Sequence, residues 1–205
     1  MGLLNTLVQT FFASVCISFV VQGWVPLDLL PFPLLTSIYI FILSKYIAPP
    51  VTSKVEPGLF GGSRLMKNYL LSAALIGIIL PLVYIACAFL QGDLVAVKAA
   101  VPSLFLLIVQ VLSENFTFRR ASFSVLIRPL VPMLYNTRRL FTIWDELLFL
   151  FFGVGITKPG LLLFGRMLVV ANAILWHWNL FGFLIPVYLV KSMRQHYDLE
   201  NKVKE

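Results

Sequence analysis

Residues 69–90 read YLLSAALIGIILPLVYIACAFL, 22 consecutive positions without a charged side chain. At 1.5 Å rise per residue this is about 33 Å of helix, enough for the roughly 30 Å of hydrocarbon in a bilayer. In lipid such a run needs only to close its own backbone hydrogen bonds, which a helix does. The run therefore predicts a membrane-spanning helix. Pro81 inside it has no amide hydrogen, so a kink is expected there.

The rest of the chain reads the same way. Of 205 residues, 60% are hydrophobic and only 12% charged, where soluble domains carry about 25% charged, and mean hydropathy is +0.92. The other uncharged runs predict spans at 3–21, 32–48, 94–112, 140–156 and 168–190. The expected architecture is a single all-α, polytopic membrane domain of six helices over 1–190, then a charged tail at 191–205 that frays. Turns are expected at Pro49-Pro50, Pro57-Gly58, Gly61-Gly62, Gln91-Gly92-Asp93 and Thr157-Lys158-Pro159-Gly160. A last helix starting as early as Pro159 must tilt, kink at Pro186 or project. The first 25 residues lack a basic n-region and a small-x-small cleavage site, which predicts a retained helix. Cys16 and Cys87 lie inside apolar runs with no Cys/His pair at metal spacing, so neither a disulfide nor a metal site is expected.

Residues 113–139 break the pattern. Arg119, Arg120, Arg128, Arg138 and Arg139 stand among phenylalanines and leucines, and Pro129 and Pro132 oppose a continuous helix. An Arg at a helix centre costs roughly 2.5 to 3.5 kcal/mol on insertion scales, so this segment is expected at the membrane interface, docked in pieces against the bundle. With six spans, 13 of the 16 Lys and Arg residues fall on one side, and only Lys98, Lys158 and Arg166 do not. That bias places both termini on the cytoplasmic side. The sequon Asn115-Phe116-Thr117 then lies on the same side and carries no glycan. Because the basic residues lie between apolar runs, nucleic acid is not an expected partner.

Three groups of polar residues are candidate sites. The five arginines could fork onto the phosphates of anionic lipid headgroups, or serve only as topology signals paired with Glu114, Asp145 and Glu146. Asp145 and Glu146 follow Arg138 and Arg139 by seven residues each, two turns along the same faces, which predicts an ion-pairing collar at the inner interface. On the last span Asn172 and Asn179 share a face, while His177 lies about 140° round from Asn172, so two polar stripes imply protein on both sides. Hydrogen bonding between helices is the structural reading of these three, and a proton relay or substrate contact the functional one. Met1-Gly2 with Thr6 fits a myristoylation pattern, and Arg119-Arg120-Ala121-Ser122 a basophilic kinase site.

The runs Ser113-Glu114-Asn115-Phe116-Thr117-Phe118-Arg119-Arg120, Arg128-Pro129-Leu130-Val131-Pro132 and Tyr135-Asn136-Thr137-Arg138-Arg139 make the chain resemble a family of plant multi-pass membrane proteins catalogued only as a domain of unknown function. The resemblance implies a plant source and brings no activity, so no functional residue is carried over from it. No catalytic motif and no cofactor site is read from the residues. The first expected role is a non-enzymatic accessory or scaffold component whose Arg-rich cytoplasmic face contacts membrane lipids, anionic ones included, or other membrane proteins. The alternative is a small transporter or channel-like protein using polar residues of the last span. A lipid-modifying enzyme would need Asp145, Glu146 and His177 to meet in one pocket, against their spacing in depth.

Overall fold

A computed structural model describes residues 2–51, 64–156 and 158–204. The expected turns at Pro57-Gly58 and Gly61-Gly62, together with Lys54 and Thr157, lie outside them. The chain is 84% helical, and the described residues contain no strand. The helices are α1 (Gly2–Val21), α2 (Leu27–Ile47), α3 (Met66–Leu90), α4 (Leu94–Phe118), α5 (Leu130–Phe152) and α6 (Pro159–Val203). Four of them, α2, α3, α4 and α6, are long and apolar enough to cross a membrane.

Helix α4 is central. Its most apolar window is 56% buried, against 22% to 33% for the other three, because α1, α3 and α5 all pack on it. Small residues allow the approach: Ala96 and Ala100 of α4 lie buried with Tyr84 and Ala88 of α3. Asp93 caps the helix, accepting a hydrogen bond from the Ala96 amide at 3.1 Å. A second cluster joins Leu107 of α4, Ile143 and Leu150 of α5, and Val169 and Trp176 of α6.

The expected interfacial segment 113–139 is not one unit. Residues 113–118 complete α4, turns occupy 119–129, and α5 begins at Leu130, ten residues before the expected span. Pro129 and Pro132 start this helix instead of blocking it. Pro129 is its N-cap and Pro132 stands in its first turn, where amide hydrogens have no partner within the helix anyway. The first bond runs from the Met133 amide to the Pro129 carbonyl at 3.2 Å.

The last helix also departs from expectation. It is continuous for 45 residues, about 68 Å, and includes most of the charged tail expected to fray. Around Pro186 it runs in wide i→i+5 turns over Trp178–Leu189. Helix α3 does the same over Leu75–Ile79, just before Pro81. In both helices a glycine, Gly77 or Gly182, stands four residues before the proline, where the ring crowds the carbonyl. Gly77 has a packing role as well. A Cβ there would stand 2.5 Å from Trp176 and 2.9 Å from Leu107, so α6 and α4 close onto α3 at this point.

Candidate functional site

Helix α5 turns most of its polar residues inward and a row of large apolar ones outward. Its buried stripe includes Tyr135, Asn136, Arg139, Thr142, Ile143 and Glu146, while Phe141, Trp144, Leu148 and Phe152 are exposed. Arg139 sits at the centre of the stripe and is 1% exposed. Its Nη1 donates to Gln110 Oε1 and its Nη2 to Asn136 Oδ1, both at 3.0 Å, and the guanidinium lies 3.8 Å over the Trp176 ring. Gln110 Nε2 donates in turn to Glu114 Oε1 at 2.7 Å. Both terminal nitrogens thus have an acceptor, while the buried Nε has none among the described residues, and a buried cation needs such partners to be tolerated. The Arg139 side chain is therefore not directed at a headgroup, which corrects its place among the five lipid-binding candidates.

The network continues into α6 and α3. Asn136 Nδ2 donates to the Trp176 carbonyl at 3.0 Å, and Trp176 Nε1 donates to Asn172 Oδ1 at 2.9 Å. Asn172 Nδ2 reaches the Ile76 carbonyl of α3 at 3.1 Å and the Leu168 carbonyl at 3.0 Å. In the widened turn of α3 the Leu80 amide goes to the Leu75 carbonyl. The next residue, Pro81, has no hydrogen to give, and Asn172 supplies what the Ile76 carbonyl lacks. Asn179, buried, accepts a hydrogen bond from the Tyr69 hydroxyl. Asn172 and Asn179 do share an inward face. His177 faces out of the chain: it is exposed, with Nδ1 2.7 Å from the Ala173 carbonyl and its ring beside Phe181, both on its own helix. That corrects the expectation of protein on both sides of α6 within this chain.

The expected collar of arginines on Asp145 and Glu146 does not form among the described residues. Arg138, half-buried, instead lies 3.7 Å from Asp28 in the first turn of α2. Glu146 is buried and accepts from the Ser103 hydroxyl at 3.2 Å, while Asp145 is exposed. Consecutive helical residues diverge by about 100°, so Arg139 turns to Gln110 as Arg138 turns to Asp28. Asp28, Lys98, Arg138, Asp145 and Glu146 do line one cavity of about 420 Å³ between the start of α2, α4 and α5. His177 is not among its lining residues.

Of the remaining arginines, Arg128 is 3% exposed, beside the Phe118 ring, which withdraws it too from the outward face. Arg119 and Arg120 are exposed in the α4–α5 connection. The Arg120 guanidinium lies 3.9 Å over the Phe116 ring, and among the described residues no carboxylate lies within 4.0 Å of Arg119 or Arg120. The fold brings Lys45 to the same cavity wall as Arg120, a pairing sequence reasoning missed because 75 residues separate them. It also missed Gln110, Asn136 and Tyr69 as polar partners. The i,i+4 spacing of Gln110 and Glu114, with Asn136 three residues before Arg139, was the available signal.

The family described as a domain of unknown function, DUF7733, matches over residues 5–197, nearly the whole chain. No curated protein and no solved structure matches it.

Proposed function

The chain belongs to the DUF7733 family, whose description carries no activity, and we propose that it is an integral membrane protein of six crossings with both termini cytoplasmic, acting as a non-enzymatic accessory or scaffold component that contacts anionic lipid through Arg119 and Arg120. Two crossings beyond the four apolar ones are part of the proposal. Helix α1 has an apolar stretch over Thr6–Val21, shorter than the others. Helix α5 turns Asn136, Arg139, Thr142 and Glu146 inward and Phe141, Trp144, Leu148 and Phe152 outward, with Thr137 and Asp145 also exposed, which supports a helix whose outer face meets lipid over most of its length. Six crossings put eleven of the 16 Lys and Arg residues on one side and Lys98, Lys158 and Arg166 on the other, with Arg138 and Arg139 held inside α5.

The observation that carries the lipid contact is the exposed Arg119-Arg120 pair, without a carboxylate partner among the described residues, at the α4–α5 connection. Bidentate guanidinium–phosphate contacts and a basic cytoplasmic face each favour anionic lipid, by about 1 kcal/mol per residue near the surface. A transport path through the last span has less support, because Asn172 and Asn179 are occupied in packing and His177 points the other way. Vesicles of phosphatidylcholine with and without phosphatidic acid provide the test. The full chain should bind the acidic vesicles more strongly, and replacing Arg119 and Arg120 together by Gln should remove most of the difference. Equal binding to both vesicle types by the unaltered chain would overturn the reading.

A further inference from the structure

We propose that the cleft between α2, α4 and the α4–α5 connection seats a single anionic phospholipid, its phosphate on Arg120 and Lys45 and one acyl chain in the slot beneath them. This rests on the reading above that this end of the bundle meets the membrane surface.

Two cavities of about 360 Å³ each share Phe116 and Phe123 as walls, so they meet at these rings. The outer one is bounded by Ser44, Lys45, Pro49, Arg120 and Ser122. The inner one runs along α2 from Ile40 back to Thr36, against Leu112, Val131 and Tyr135. From Ser44 to Thr36 is eight residues of helix, about 12 Å. Mouth and slot together thus form one cleft, cationic outside and apolar inside.

Three of the five hydroxyls along the slot are bonded to carbonyls of their own helices. Ser37 Oγ donates to the Pro33 carbonyl at 2.7 Å, Ser113 Oγ to Val109 at 2.8 Å and Thr117 Oγ1 to Glu114 at 3.0 Å. Apart from the Thr36 and Tyr135 residues, the slot is walled by methyl, methylene and ring surface, which suits a hydrocarbon chain better than a polar metabolite. The mouth has the complementary chemistry. Phe116 takes the face of the Arg120 guanidinium, which leaves its N–H edge for a phosphate oxygen pair. Lys45 adds a second cation, and no carboxylate lies within 4.0 Å of either among the described residues. Ser44 Oγ donates to the Ser122 carbonyl at 2.6 Å, tying α2 to the connection so that the two cations are held together before a ligand arrives. A soluble phosphate would use the mouth alone and leave the apolar slot empty. A phospholipid fills both.

The test reconstitutes the full chain with phosphatidylcholine and phosphatidic acid, extracts it in mild detergent and counts retained lipid by native mass spectrometry. The unaltered chain should retain one phosphatidic acid. Arg120→Gln and Lys45→Gln should each lower retention about tenfold, the effect of losing one charge-assisted contact. Ser37→Phe, at an exposed position on the slot, should lower it comparably by filling the space of the chain. Arg119→Gln lies outside the cleft and should change retention less than about twofold. Equal losses for Arg119→Gln and Arg120→Gln would overturn the cleft while leaving the lipid-contacting face standing. Full retention in Ser37→Phe would remove the acyl slot. No preference for phosphatidic acid in the unaltered chain would remove the underlying reading itself. Should Ser37→Phe not fold, judged by its melting curve, the Arg119 and Arg120 contrast decides.

Discussion

The chain contains two Arg-Arg pairs, Arg119-Arg120 and Arg138-Arg139, and the fold treats them in opposite ways. The first pair lies in a turn, exposed, with Arg120 resting on Phe116. The second lies inside α5, where Arg138 reaches Asp28 and Arg139 is enclosed by Gln110, Asn136 and Trp176. The difference teaches that an arginine among apolar helices is placed by the acceptors around it. Where neighbouring helices offer amide oxygens and an aromatic face, the cation goes inside and joins the helices. Where they offer an aromatic face without such acceptors, as Phe116 does for Arg120, it stays at the surface, available to a ligand.

The largest expected effect follows from removing the inner cation. Arg139→Leu leaves the buried oxygens of Gln110 and Asn136 without a donor and should cost about 3–5 kcal/mol, read as a lowered melting temperature in detergent or as no folded protein. Arg139→Lys keeps the charge without the fork and should fall between that variant and the unaltered chain. A mild phenotype for both would erase the contrast between the pairs. Next, Gly77→Ala pushes a Cβ against Trp176, which Asn172 and Arg139 hold in place, at a cost of roughly 1–3 kcal/mol by the same melting assay.

A smaller effect tests the repair of α3. Asn172→Leu should cost about 1–2 kcal/mol, since the Ile76 carbonyl loses its donor. In a Pro81→Ala background the restored amide can serve that carbonyl, so the same substitution should cost measurably less. Equal costs in both backgrounds would show that Asn172 does not compensate for the proline. Smallest of all, Arg120→Gln should change stability by no more than about 0.5 kcal/mol while it reduces anionic-lipid retention. That separation of stability from binding is what distinguishes the outer pair from the inner one.

Much of the helical plan could be read from local pattern. The uncharged run at 69–90, the turn at Gln91-Gly92-Asp93 and the shared face of Asn172 and Asn179 all depend on residues near each other in the chain, where periodicity is informative. The errors came where non-local partners or position within a helix decide. Pro129 and Pro132 look the same in sequence whether they end a helix or begin one, and only the first-turn position makes them compatible with α5. Arg139 looked costly because its acceptor Gln110 is 29 residues away on another helix. The same blindness hid Lys45 beside Arg120 and the pairing of Arg138 with Asp28.

The contrast between the pairs is open to chemical modification. Phenylglyoxal applied to the folded, lipid-free chain in detergent, followed by peptide mass spectrometry, reports which guanidinium groups reach water. Arg119 and Arg120 should react within the native state, and Arg139 only after the chain is unfolded. Native-state modification of Arg139 at a rate matching Arg120 would contradict the account of an inner cation holding the helices together.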